Sequence, residues 1–343
     1  MVASVIAIPS AKVFAGNNDR SGSAGATELL INPWARSSGW AGANSAGVRG
    51  IEAGFLNVAG LAFTRKTEIV FSQTTWLSGS DINISSFGIS QKIGESSVLG
   101  ISIMSMNFGD IPITTVDQPE GGIGTFSPSY LNMGISYAKE FSNSIYGGIT
   151  ARIVSESLSD VRASGLAFDA GIQYVTGFNA DKDNFKFGIT LKNVGATLKF
   201  SGDGLSYRGL APSGNYNQSV SSKSESFELP SLLNIGLMYD IKLATDHRLS
   251  LAGSFVANSF TNNQFIGGLE YGFKSYFMLR TGFAYEKDIF SNESRTTALT
   301  GLTAGLTLAV PLGKSGNTFA FDYSYRSTNP FSGCHSFGVR LSL

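Results

Sequence analysis

Side chains able to do chemistry are few in this chain, and none of them is grouped as a reaction centre. The single cysteine, Cys334, stands beside His335 and Ser336. A nucleophile needs its base within hydrogen-bond reach. In a strand, however, His335 and Ser336 are neighbours that point to opposite faces. Cys334 therefore reads as a structural thiol, and no second cysteine exists for a disulfide. His247 and His335 lack carboxylate or thiolate neighbours at metal-ligand spacing, so both read as turn or interfacial residues. Asp181-Lys182-Asp183-Asn184 has the letters of a calcium loop but lacks the distal bidentate glutamate, and reads as a tight hairpin turn. Gly121-Gly122-Ile123-Gly124 lacks the strand-to-helix context of a phosphate loop and reads as flexible loop. With no nucleophile elbow either, the chain is expected to be no enzyme, with no cofactor and no metal.

What remains is a set of charges at regular positions. Asp169, Lys192, Asp240, Arg248, Glu270, Arg280, Asp322, Arg326 and Arg340 all fall on the polar phase of segments that alternate apolar and polar residues. Two accounts are open. The charges neutralise one another and hold an internal segment that includes Arg36 and Glu52, or they line a polar conduit. Their mixed signs favour the first.

These charges need elements to position them, and period-two alternation supplies those elements. Leu131, Met133, Ile135 and Tyr137 alternate with Asn132, Gly134, Ser136 and Ala138. The runs 166–174, 185–192 and 319–326 are equally clean. Weaker runs lie near 66–77, 81–93, 97–108, 145–157, 230–242, 247–258, 264–274, 276–287 and 298–311. The last residues place Phe337, Val339, Leu341 and Leu343 on one face and Ser336, Gly338, Arg340 and Ser342 on the other. That makes about fourteen strands of membrane-spanning length, with an oily face for lipid and a polar face for a lumen. Joints near 141–144, 180–184, 245–246 and 311–317 are short, whereas 109–129 and 195–229 are long and polar. The fold expected is all-β: a transmembrane antiparallel barrel, its last strand closing onto 66–77.

Composition agrees. Charged residues make up 15% and balance at 25 of each sign, which argues against a general nucleic-acid binder. No run of about 18 apolar residues marks a transmembrane helix. Residues 1–15 are expected to be a signal peptide, with Val13-Phe14-Ala15 offering small residues at the cleavage positions. No Lys or Arg opens that stretch, so either the start lies upstream or the signal is atypical. Residues 66–343 are the expected barrel.

Residues 16–65 do not alternate. Small residues at 39–47 would let a backbone pack closely inside a lumen, and the segment is expected to fold inward as a plug. Here the chain resembles the PorV/PorQ family of outer-membrane proteins, itself similar to FadL-type transporters. The resemblance rests on Ala35, Arg36, Gly39, Gly42 and Glu52, and most on Asn57-x-Ala59-Gly60-Leu61-Ala62, where Val58 replaces the family's usual proline.

The resemblance implies a fourteen-stranded barrel in the outer membrane of a diderm bacterium, in contact with its lipid. In the secretion branch such a barrel serves type IX protein secretion or cargo attachment, meeting secretion or cargo proteins through the loops 109–129 and 195–229. In the FadL branch it passes a hydrophobic ligand, such as a long-chain fatty acid. The first is the leading expectation and the second the alternative.

Overall fold

A computed structural model describes residue 20 and residues 22–177, 183–210, 214–313 and 316–343. Fourteen strands close into one antiparallel barrel. They are β1 (Thr67–Trp76), β2 (Ile82–Ile93), β3 (Ser97–Asn107), β4 (Ser129–Ser142) and β5 (Ile145–Leu158). Next come β6 (Val161–Thr176), β7 (Phe185–Gly195), β8 (Leu232–Ala244), β9 (His247–Asn258) and β10 (Gln264–Phe273). The circuit ends with β11 (Phe277–Glu286), β12 (Leu299–Leu312), β13 (Asn317–Thr328) and β14 (Cys334–Ser342).

The seam joins β14 to β1, from Glu68 opposite Ser342 to Thr75 opposite His335. The apolar phase points outward. On β14, Phe337 is 48% exposed whereas its neighbour Ser336 is fully buried. Closure leaves no unpaired edge, so every strand can face lipid on one side.

Joints at the rim holding the start of β1 are short, among them 143–144, 245–246 and 274–276. The opposite rim carries 108–128, 196–231 and 287–298. The two long segments expected to be plain loops contain small hairpins instead. Ile111–Pro112 pairs with Thr125–Phe126, Leu198–Lys199 with Ser226–Phe227, and Ser206–Leu210 with Asn217–Ser221. Local pairing gives these backbones hydrogen-bond partners that a bare loop would leave to water. Strand β6 also starts earlier than its clean alternation. Its small residues Ala163 and Gly165 face inward, and a Cβ on Gly165 would lie 2.1 Å from Leu198 Cδ2.

Residues 24–64 fill the lumen as short helical turns: Thr27–Leu30, Ala35–Ser38, Ala43–Ala46, Ala53–Leu56 and Val58–Phe63. Trp34, Val48, Ile51 and Leu61 pack against Val70, Val98 and Ala138 of the wall. Glycine makes the fit possible. Gly39 rests on Gly305, where a Cβ would stand 3.0 Å from the facing Cα. The expected signal peptide and most of the turn at 180–184 lie outside the described residues.

Candidate functional site: a plugged lumen with two chambers

The residues that carry the family resemblance are the plug's fastenings. Asn57 is extended (φ −155°), and its Oδ1 accepts from Ala59 N at 3.2 Å, capping the turn Val58–Phe63. Its Nδ2 donates to Ile172 O of β6 at 3.1 Å. The side chain thus starts the turn with valine at 58. Gly60 is required by close approach, because a Cβ there would sit 2.0 Å from Val48 O. Ala59 and Leu61 are fully buried. Ala35 N donates to Ser72 Oγ of β1 at 3.2 Å.

The charges on the inner face divide into tied and untied groups. Arg152 Nε donates to Asp169 at 2.7 Å, and its Nη2 donates to Gly54 O of the plug. Glu270 accepts from Arg280 Nε (2.9 Å) and Arg248 Nη2 (2.7 Å). Asp322 accepts from Thr307 and lies 3.3 Å from Arg340 Nη2, while Arg340 Nη1 stands 3.4 Å from Glu52. Glu52 also accepts from Ser37 N at 3.2 Å, so one carboxylate links the barrel to two parts of the plug. Burial pushes the Glu52 carboxyl up, and Arg36 and Arg340 oppose it. Arg326 Nη2 donates to Asn32 O at 2.7 Å and its guanidinium covers the Trp76 ring. Of the two accounts of these charges, the geometry favours mutual neutralisation with plug anchoring.

Lys192 is the exception. It is 5% exposed, and its Nζ sits 3.7 Å from the Phe55 ring centroid rather than on a carboxylate. Its place is set by a bulge: the β6–β7 register shifts between Phe168 and Ala170, and Asn193 takes φ +58°. Asp169 Oδ1 accepts from Asn193 N at 2.7 Å and holds that bulge.

The plug splits the lumen in two. On the long-loop side lies a cavity of about 350 Å³, lined by Leu30, Phe55, Leu56, Trp76, Leu232, Val256, Ile266, Ala284, Ile289 and Leu302. Lys192, Arg326 and Glu286 are its charged groups. On the short-turn side lies a cavity of about 430 Å³ lined by Arg36, Trp40, Asn44, Arg49, Lys186, Asp240, Lys242, Arg248 and Glu270, among others. Ser38, Ala41 and Gly42 face the first and Arg36, Trp40 and Asn44 the second, so the partition is one short piece of chain. Ala41 (φ +55°) and Gly42 (φ +86°) are both left-handed there.

Sequence reasoning missed Arg152, Lys186, Arg49 and the cavity-lining aromatics. Arg152 and Lys186 sit on the polar phase of their strands, and the same alternation would have found them. Arg49 follows no pattern.

Fold and contents define a class: a closed fourteen-stranded antiparallel barrel with a short N-terminal segment packed in its lumen. At the level of sequence, no family model and no curated protein matches the chain. Among solved structures it is similar to the Pseudomonas putida toluene transporter TodX, at TM-score 0.55 and 11% identity. It is also similar to the Ralstonia pickettii toluene transporter TbuX, at TM-score 0.52 and 13% identity. A Pseudomonas aeruginosa FadL homologue matches at TM-score 0.52 and 10% identity. Each match covers 91% of this chain and 97% of the other. At these identities the likeness is one of fold: the chain adopts the fold of FadL-type outer-membrane barrels.

Proposed function

We propose that the protein is an outer-membrane channel that passes hydrophobic compounds, with the short-turn rim facing the periplasm and the long-loop rim outside. The observation that carries this reading is the apolar chamber above the partition. Its 350 Å³ fall in the range of small-molecule sites, about 300–1,000 Å³, and its aliphatic and aromatic walls are interrupted by uncharged polar side chains such as Asn234, Asn258 and Gln264 and by three charged ones. Short periplasmic turns and long outer loops are the usual asymmetry of such barrels. The similar structures, two toluene transporters and a FadL homologue, agree with it.

The test is to fill the chamber. Val256→Trp and Ile266→Trp each put an indole into it without touching the plug's fastenings. Uptake of radiolabelled toluene and hexadecanoate by proteoliposomes should fall roughly tenfold or more, equivalent to about 1.4 kcal/mol. Folding is checked by heat-modifiable migration in a gel. Wild-type uptake in both folded variants would overturn the reading.

A second reading is the type IX secretion role implied by the PorV/PorQ resemblance. It draws on the long-loop rim, where the hairpin Ser206–Leu210 with Asn217–Ser221 exposes Leu210 and nearby Tyr216. The comparisons favour the channel over this role. Co-purification of secretion or cargo proteins with the intact barrel, lost when residues 206–221 are deleted, would reverse that preference.

A further inference from the structure

The lower chamber differs chemically from the one above it. Among the described residues, five cationic side chains, Arg36, Arg49, Lys186, Lys242 and Arg248, line it against Asp183, Asp240 and Glu270. Two of those carboxylates are already engaged. Asp240 accepts from Lys186 Nζ (2.5 Å) and Ser250 Oγ (2.5 Å), and Glu270 from Arg248 and Arg280. Behind the wall, Glu52 and Asp322 are likewise held by Arg340.

Arg36 has no such engagement. Among the described residues it makes no hydrogen bond and has no carboxylate within ion-pairing distance. Glu52 and Glu270 attract it from further off, and Arg340 and Arg280 repel it. It is only partly exposed, on the turn Ala35–Ser38, with Trp40 and Asn44 beside it on the chamber wall. Arg49, too, makes no ion pair among the described residues. Its guanidinium stacks on Phe63 at 4.5 Å, which leaves the in-plane N–H donors open.

A guanidinium offers five N–H donors in a planar fork that matches a carboxylate or phosphate. A cavity with low-dielectric walls and an excess of one sign concentrates counter-ions. We propose that the lower chamber is an oxyanion-binding site, with Arg36 as the forked donor and Arg49 as a second cation. The ligand chemistry is a carboxylate or phosphate group. It can arrive as a free anion from the short-turn side or as the head of an amphiphile.

The experiment uses the full chain in a non-ionic detergent, titrated calorimetrically with inorganic phosphate and, separately, with octanoate below its micelle concentration. Phosphate should bind, more weakly as salt rises. Arg36→Gln should weaken it by roughly tenfold or more, and Arg36→Lys, which keeps the charge but loses the fork, by less. Arg49→Gln supplies a second variant should Arg36→Gln fail to fold. If octanoate competes with phosphate and also loses affinity in Arg36→Gln, the site receives amphiphile heads. If octanoate binding survives that variant while phosphate binding is lost, the site takes free anions. Phosphate binding that is absent, or unchanged in folded Arg36→Gln and Arg49→Gln, overturns the proposal. The readout is anion binding and not uptake, so failure of the transport reading leaves it standing.

Discussion

The two chambers share one barrel and one partition, yet they are built from opposite materials. Above the partition, Leu232, Val256 and Ile266 of the wall and Phe55 and Leu56 of the plug line one cavity, and few charges intrude. Below it, Arg36, Arg49, Lys186, Lys242 and Arg248 crowd round Asp183, Asp240 and Glu270. Most of both sets sit on the inward phase of the strands or on the plug. The difference teaches that the inward phase has no single character. Around the lower chamber it is charged and around the upper one more apolar, and the plug's two faces follow suit.

The largest expected effect comes from cutting the tie that holds the partition between the chambers. Glu52→Gln leaves Arg340 with Asp322 alone and deprives Arg36 of its nearest attraction. Breaking one side of a buried charge network costs roughly 3–5 kcal/mol. The plug should loosen and merge the chambers, seen as a step up in single-channel conductance in planar bilayers. Conductance equal to wild type would show that the partition stands without Glu52.

A smaller change of opposite sign is expected above the partition. Lys192 buries an ammonium with no carboxylate on it, a cost that its contact with Phe55 offsets only in part. Lys192→Met should raise the urea midpoint, by about 2 kcal/mol in stability. It should also shift uptake toward neutral toluene over hexadecanoate. A lowered midpoint would mean that the lysine is compensated by the cavity itself.

The smallest effect is at the cap. Asn57→Ala removes the hydrogen bonds to Ala59 N and Ile172 O and should cost about 1 kcal/mol. A lower urea midpoint with unchanged conductance is expected, because Glu52 still holds the partition. An open channel in this variant would move the main fastening from Glu52 to Asn57.

Much of the barrel was legible because its signal is local. A strand facing lipid on one side alternates every second residue, so Leu131 to Tyr137 and Phe337 to Leu343 declare their faces without reference to anything distant. The same logic put Asp169, Glu270, Arg280, Asp322 and Arg340 indoors, where they lie. The hairpins in 108–128 and 196–231 were not legible. Short polar strands without a buried face carry no alternation worth reading. Nor did the early start of β6 show, since Ala163 and Gly165 are too small to mark a phase.

The candidate site was legible in its members and not in its shape. Arg36, Glu52, Asn57 and Gly60 were singled out in sequence, and the plug brings each against a wall or a chamber. The chambers arise from pairs far apart along the chain: Glu52 with Arg340, Asn57 with Ile172, and Ser45 with Ser254. By itself the sequence determined an all-β barrel of about fourteen strands, a seam from the last strand to the first, and which phase of each strand faces inward. Those depend on a period of two along each strand. Only the tertiary structure decided that other charged residues pair while, among the described residues, Lys192 and Arg36 do not, and that Ala41 and Gly42 divide an apolar space from a cationic one. Such outcomes depend on where the plug rests, and close packing across the lumen sets that position.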